Sequence, residues 1–524
     1  MDRDLALFNG SIWSDGRILG PRWGVICRGG QIWQVGTDVR LKQLLTRDFD
    51  AYDLEGRLVL PGFIDSHLHL ASLGFALGEV NLDEAASEEE AVALVEPRAR
   101  KAAEGEWVRG RGWHSNEWPG GGYPTKASLD AVSPLGVPVW LRSRCGHAAW
   151  ANSAAMEAAG VTKETESPPG GEIVRDPGGE PTGVFLEKAM FLVTGKLPAR
   201  SLGERVAAAQ RAIGHLHALG VTGAVICGEA DGLAALQALD SGGALPLRLL
   251  TMPTADQIDS VLGMGVSPGF GSESLSLGPV KIFADGSLGS RTAVMFGQYP
   301  GGGRGIFTTE PEELEELVGK ANGAGWPVAI HAIGDRAVAA SLDAIESVGD
   351  PSLRNRIEHA QSVRADDIVR FRELGAVASV QPVHLLCDRG AATELWGEAA
   401  ETAFPLMTMS TRGVKLAFGS DAPVASADPF LGLHAAVNRA APGSDEGPWV
   451  PGERMPLSEA LFAYAEGGAY AAGWEHRRGR VVPGYDADFA VVSANPFEMP
   501  AEELAGLHVV ATVVAGRVVH MTDQ

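Results

Sequence analysis

Two histidines in DSHLHL, His67 and His69, stand two residues apart where an apolar run ends. On a β-strand, residues i and i+2 face the same side. Both imidazoles therefore point one way, a spacing that suits a first-row metal ion. Further ligand types close later apolar runs: His331 in WPVAIHAIGD, His359 in RNRIEHAQ and Asp421 in VKLAFGSDAPV. Each alone has a plainer explanation, since a histidine at a strand end is often a polar tip and an aspartate there a helix N-cap. Four strand ends carrying HxH, His, His and Asp together point to a metal centre. The sequence holds its own control, for HLH recurs at His215 and His217 in RAIGHLHALG. That stretch reads as helix, where i and i+2 diverge by about 200°, so the repeat has no ligand geometry.

A lysine completes the set. VKIF, from Val280 to Phe283, reads as a buried strand with Lys281 inside it. Stripping water from an unpaired ammonium costs several kcal/mol. Either Lys281 points to solvent or it is not an ordinary lysine. Desolvation and nearby cations favour the neutral amine, which can add CO2 to give a carbamate, an anion whose two oxygens can each hold a metal.

Parallel α/β elements must position these residues. Eight strand-like runs, LVLPGFIDS, VTGAVIC, LRLLTM, LGPVKIF, WPVAI, RNRIE, AVASVQP and VKLAFGS, alternate with helical stretches such as PEELEELVGKANGAG and RADDIVRFRELG. Eight β/α units close into a (β/α)8 TIM-like barrel with its site at the C-terminal ends of the strands. The first connection is about 150 residues long, far beyond a normal βα loop. It has strands of its own, EWVRGRGW and VPVWLRS, and reads as an insertion over the barrel mouth. The two ends of the chain share a texture of short β segments around Gly-rich turns, LALFNGSIW near the start and VVATVVAGRVVH near the end. The expected organisation is a small β-sandwich domain built from residues 1–58 and 476–524, around a barrel at 59–475 with the insertion at about 72–200.

Composition narrows the function. The chain has 524 residues, of which 45% are hydrophobic and 21% charged, an ordinary soluble balance. A net charge of −23 argues against nucleic-acid partners and anionic membrane surfaces. No apolar run reaches the roughly 18 residues of a membrane helix, and MDRDLALFNGSIW lacks the pattern of a signal peptide. Cys27, Cys145, Cys227 and Cys387 are scattered without a CxxC pair and read as reduced thiols of a cytoplasmic protein.

PGFIDSHLH, the strand-borne Lys281, His331, EHAQ with His359, and GSDAP with Asp421 resemble the amidohydrolase superfamily. GRGWHSNEW, RCGHAAWANSAAM, FADGSLGSRTA, HAIGDRA and SVQPVHLLCDRG are similar to its amidohydrolase-3 branch, which includes N-substituted formamide deformylase; the similarity runs from about residue 5 to residue 520. The resemblance implies a metal-dependent hydrolase with His67 and His69 on one ion, His331 and His359 on a second, and carbamylated Lys281 bridging them. It implies that Asp421 touches a metal and serves as general acid and base, and that His147 reaches toward substrate. Two positions depart from the family's pattern: His114 where members often have Asp, and Ala422 where they often have Trp. Both bear on pocket shape, so no substrate follows.

The expected reaction is hydrolysis of a non-peptide carbon–nitrogen bond in a small amide, metal-activated water attacking the carbonyl. Zinc suits the nitrogen and oxygen ligands, with manganese, iron, cobalt and nickel open on the same set, and one or two ions. His147 is the candidate oxyanion partner. Trp113, His114, Asp285, Arg291 and His384 are candidate substrate contacts, with Ser287 and Asp388 beside them. Asp285 is also a plain turn residue type, and a tryptophan such as Trp113 in an apolar segment is more often core. A homodimer acting on a small molecule is expected. Two rivals stand: a mononuclear deaminase using His67, His69, His331 and Asp421, and a non-catalytic barrel that binds a small molecule. A lyase or isomerase on the same metals stays open.

Overall fold

The computed structural model describes residues 4–45, 49–103, 105–115, 118–119, 122–144, 148–228 and 232–522. The chain forms two compact units, one of residues 1–70 and 212–524 and one of residues 71–211.

The first unit contains eight parallel strands: β1 (Phe63–Leu68), β2 (Val221–Cys227), β3 (Arg248–Met252), β4 (Val280–Phe283), β5 (Val328–Ala332), β6 (Arg356–His359), β7 (Val377–Val380) and β8 (Lys415–Phe418). Neighbours pair in chain order from β1 to β3 and from β4 to β8. A parallel bridge from Thr254 to Lys281, with Lys281 N–H donating to Pro253 O at 2.8 Å, links the end of β3 to β4. At the other side the segment after β8 meets the end of β1, where Asp421 N–H donates to His67 O at 2.7 Å and His69 N–H to Ala422 O at 3.0 Å. Every residue of β1, β2 and β3 is buried, as strands covered on both faces must be. The covering helices carry their own signals. Pro311–Gly323 begins with Pro, has Glu312 and Glu313 in its first turn and Lys320 in its last. Asp335–Val348 buries Val338, Ser341, Leu342 and Ile345 along one stripe.

Two of the expected strands divide. LVLPGFIDS is two elements: Leu58–Pro61 joins the terminal sheet and Phe63–Leu68 is β1. The break falls at Gly62, where a β-carbon would lie 2.1 Å from Thr222 Oγ1. LGPVKIF also divides, Leu275–Leu277 pairing with β3 and Val280–Phe283 forming β4.

Strands from both ends of the chain hydrogen-bond as one eight-stranded sheet. Leu58–Pro61 sits at its centre, antiparallel to Phe489–Val492 and parallel to Asp4–Ser14. Leu5, Leu7, Val25, Val59, Phe489, Val491 and Val513 form its core. The Asn-Gly of LALFNGSIW is not a turn. Asp4–Ser14 runs through it as one strand with register shifts around Gly10. Asn9 has φ 59° there and donates from Nδ2 to Asp53 Oδ1 at 2.7 Å, so the dipeptide makes a bulge. Ala515 and Gly516, with φ 50° and 71°, do turn the hairpin between Val509–Val514 and Arg517–Met521.

The second unit has a six-stranded sheet in which Val108–Trp113 lies beside Val139–Ser143. Trp113, Trp118 and Trp150 pack together in its core. Among the described residues no helix is long and apolar enough to cross a membrane.

Candidate metal centre

A cavity of about 490 Å3 opens at the C-terminal ends of the parallel strands. His67, His69, Lys281, His331, His359 and Asp421 all line it. They come from the ends of β1, β4, β5 and β6 and from the segment after β8. The rings of His359 and His67 have centroids 4.6 Å apart, and those of His359 and His331 4.4 Å. Ligand atoms of His67, His359 and Asp421 lie within 4.8 Å of one another. Asp421 Oδ1 is 3.1 Å from His69 Nε2 and 3.5 Å from His67 Nε2.

The backbone is bent to make this convergence. His359 and Ala360, at the end of β6, have φ of 73° and 42°, and Asp421 has 58°. Non-glycine residues rarely sit there, and such conformations persist where surrounding structure holds them for function. Asp65 supplies part of that hold. Its Oδ1 accepts from His67 N–H at 3.1 Å and from Ser420 N–H at 3.0 Å, and its Oδ2 from the Ser420 hydroxyl at 2.5 Å. The residues before His67 and Asp421 are thereby tied together. Burial pushes the Asp65 carboxyl up to about 6, against these donors.

Two ring orientations are fixed from behind. His67 Nδ1 lies 2.6 Å from Glu358 Oε2, which leaves Nε2 toward the cavity. Glu358 is itself held by Arg356, whose Nε donates to Oε1 at 2.8 Å and whose Nη2 also reaches Ser66 O and Ser379 Oγ. His359 Nδ1 lies 2.7 Å from Gln381 Oε1. Such partners set the tautomer of a ligating histidine. None of Glu358, Arg356 or Gln381 was expected from the sequence. The available signal was Arg-x-Glu inside a wholly buried strand, because charged side chains are almost never fully buried unless paired.

Burial, with the Lys281 charge next, pushes the His67 ring down to about 4 and the His331 ring down to about 3. Burial likewise holds His359 well below the usual histidine range. All three are neutral imidazoles at pH 7, the form that ligates metals. Burial alone would raise Asp421, but the hydrogen bond from His69, with the surrounding imidazoles adding to it, outweighs burial and holds the carboxyl low. Lys281 is 1% exposed, and its Nζ has no hydrogen-bond partner among the described residues. The Phe283 ring centroid lies 5.0 Å from Nζ. The lysine is therefore not turned to solvent. Neutral imidazoles, a carboxylate and an orphaned amine around one cavity fit a divalent cation.

The other expected site residues fall in different places. His384 lines the cavity, with Nε2 3.7 Å from Asp421 Oδ2, and Ser287 and Asp388 line it too. Asp285 is buried and accepts from Val294, Ile333 and Gly334 N–H at 2.8, 3.0 and 2.9 Å. Its alternative as a turn residue accounts for it, since it fastens the loop after β4 to the loop after β5. Burial pushes its carboxyl up to about 7, against those three donors. Arg291 is exposed and 4.0 Å from Glu394. Trp113 is a core residue of the second unit, its indole N–H donating to Leu141 O at 2.9 Å, so packing accounts for it. His114 is half-buried in the same unit. His147 lies outside the described residues.

Known proteins resemble this chain along most of its length. Residues 50–520 match the model of the Amidohydrolase family. Over 534 residues the chain is 36% identical to Protein LONG AFTER FAR-RED 3 of Arabidopsis thaliana, covering 98% of this chain and 91% of that protein. It is 30% identical to N-substituted formamide deformylase of Arthrobacter pascens, over 98% of both chains. Among solved structures, an uncharacterized metal-dependent hydrolase from Pyrococcus horikoshii OT3 superposes with a TM-score of 0.79 at 29% identity, covering 95% of this chain and 99% of that one. That likeness extends the TIM-barrel-like α/β fold to this chain. The chain belongs to the amidohydrolase family and is a metal-dependent hydrolase, an enzyme acting on carbon–nitrogen bonds.

Proposed function

We propose that the chain hydrolyses the carbon–nitrogen bond of a small, non-peptide amide, with an N-substituted formamide as the best-supported substrate type. One observation carries the reading: His67, His69, Lys281, His331, His359 and Asp421 border a single cavity. The likeness to a formamide deformylase along nearly the whole of both chains supports the substrate type. Phe283, Leu288, Ile333 and Val424 give the same cavity apolar wall, suited to an apolar N-substituent.

In this reading His67, His69, His331, His359 and Asp421 would hold two divalent ions, zinc being favoured by their nitrogen and oxygen atoms. Lys281 would join them as a carbamate, which removes the cost of an unpaired buried ammonium. Bound there, the metal supplies Lewis acidity and water of lowered pKa. Asp421 takes the proton released as water adds to the carbonyl carbon and returns it to the departing nitrogen. Glu358 and Gln381 keep His67 and His359 in ligating orientation throughout. His147 is the proposed second polarising group.

The same reading takes the eight barrel strands as closed, the terminal sheet as folded over its own core into a sandwich, and the protein as a cytoplasmic homodimer. Its net charge of −23 supports the absence of nucleic-acid and anionic-membrane partners.

A one-ion centre is the second reading, favoured by the close grouping of His67, His359 and Asp421. Purified protein loaded with zinc in bicarbonate and offered N-alkylformamides, simple amides and lactams decides. Formate release with two metals per chain supports the first reading. Turnover with one metal and unmodified lysine supports the second. A loaded protein that turns over nothing on the panel contradicts both.

A further inference from the structure

Gln361 follows β6 and is 2% exposed. Its Nε2 lies 3.2 Å from His384 Nδ1 and 3.2 Å from Asp388 Oδ2. An amide nitrogen carries two hydrogens, and an ionised carboxylate only accepts. One N–H of Gln361 therefore goes to Asp388 and the other to the His384 ring. Reversing the amide would set its oxygen against the Asp388 carboxylate, so Asp388 fixes which way the amide faces. With Nδ1 accepting, the ring proton of His384 is on Nε2. That atom is buried, has no hydrogen-bond partner among the described residues, and lies 3.7 Å from Asp421 Oδ2. The other carboxylate oxygen of Asp421 faces His69 and His67.

We propose that Asp388 and Gln361 form a tautomer lock on His384, presenting its Nε2–H to Oδ2 of Asp421 and so dividing the two oxygens of that carboxylate between separate tasks. Oδ1 stays with the ligand cluster, and Oδ2 is the oxygen held and oriented by His384. Gln361 and Asp388 are positioning residues that act through His384. The distance of 3.7 Å shortens to a hydrogen bond when the centre is loaded, as catalytic contacts commonly tighten from the apo state. The inference rests on reading Asp421 as the group that carries the proton in hydrolysis.

The test reads the tautomer directly. The full-length protein is labelled with 15N-histidine and its ring nitrogens are correlated with their protons, with and without zinc. The His384 signal is identified by its loss in His384→Gln. The wild type is expected to show Nε2–H and an unprotonated Nδ1. Gln361→Glu replaces the donor by an acceptor, so the proton is expected to move to Nδ1. In that variant kcat on N-butylformamide should fall about 10- to 100-fold, the range for partners of catalytic groups, with KM and zinc content little changed. His384→Gln, whose amide N–H can stand in for Nε2–H, should retain more kcat than His384→Ala. A wild-type His384 protonated on Nδ1, or a tautomer unmoved in Gln361→Glu, overturns the lock. The tautomer is read without substrate, so the two failures separate. Hydrolysis with His384 protonated on Nδ1 removes the lock and keeps the hydrolase. Nε2–H with no hydrolysis keeps the lock and removes the role given to Asp421.

Discussion

Lys281 is the residue that the chemistry most needs to be unusual. Its amine is buried and unpaired beside three neutral histidines. Lys281→Ala should lose bound metal and turnover together, and short carboxylic acids should restore part of both by standing in for the carbamate. Unchanged turnover in that variant would refute the role. The buried histidines make a second prediction. His67 and His331 have folded values near 4 and 3, against an ordinary value of 6.5. The unfolded chain then binds protons first on acidification, so stability is present above about pH 6.5 and is lost as the pH falls through the folded values. The metal-free protein should show a falling Tm between pH 7 and pH 4, with a shallower slope in His331→Asn. Equal slopes would contradict the depressed values. Residue types at strand ends were legible in the sequence because ligand chemistry restricts them to a few kinds. Glu358, Gln381 and Gln361 were not, because a side chain that steadies another is visible only once two distant strands are adjacent.

Elements were legible in type and less so in extent. The eight strands and the helices between them follow from apolar runs and end signals that act locally, such as Pro311 at a helix start. What failed was a boundary inside one strand-like run, at the Pro61-Gly62 pair that punctuates it. LVLPGFIDS shows no change of periodicity where its first half enters one sheet and its second half another. The close approach to Thr222 leaves no room for a side chain at Gly62. Gly62→Ala should therefore destabilise the protein by about 1–3 kcal/mol, the usual cost of overpacking, measured as a lower urea midpoint at unchanged slope. A midpoint equal to wild type would show that the contact yields easily. The Asn-Gly bulge was misread for a related reason. The dipeptide favours left-handed backbone in either setting, and the partner strand decides between turn and bulge.

At the scale of the whole molecule, the sequence anticipated parallel α/β units and a sheet that draws strands from both ends of the chain. The shared sheet follows from matching textures at the termini, while the order of its strands depended on Leu58–Pro61 sitting between them. Residues 71–211 form a compact unit of their own, and about 150 residues are too many for a βα loop. Its aromatic residues were harder to assign. Trp113 carries the same sequence signature whether it faces a ligand or, as found, a tryptophan cluster in its own core. The joint behaviour of the molecule rests on whether the cavity side chains act on one ionic centre. An anomalous-scattering map from crystals grown with zinc and bicarbonate examines this most directly. The expected map has metal peaks within bonding distance of His67, His69, His331, His359 and Asp421, and carbamate density continuous with Lys281. A cavity without a peak, next to an unmodified Lys281 ammonium, would contradict it.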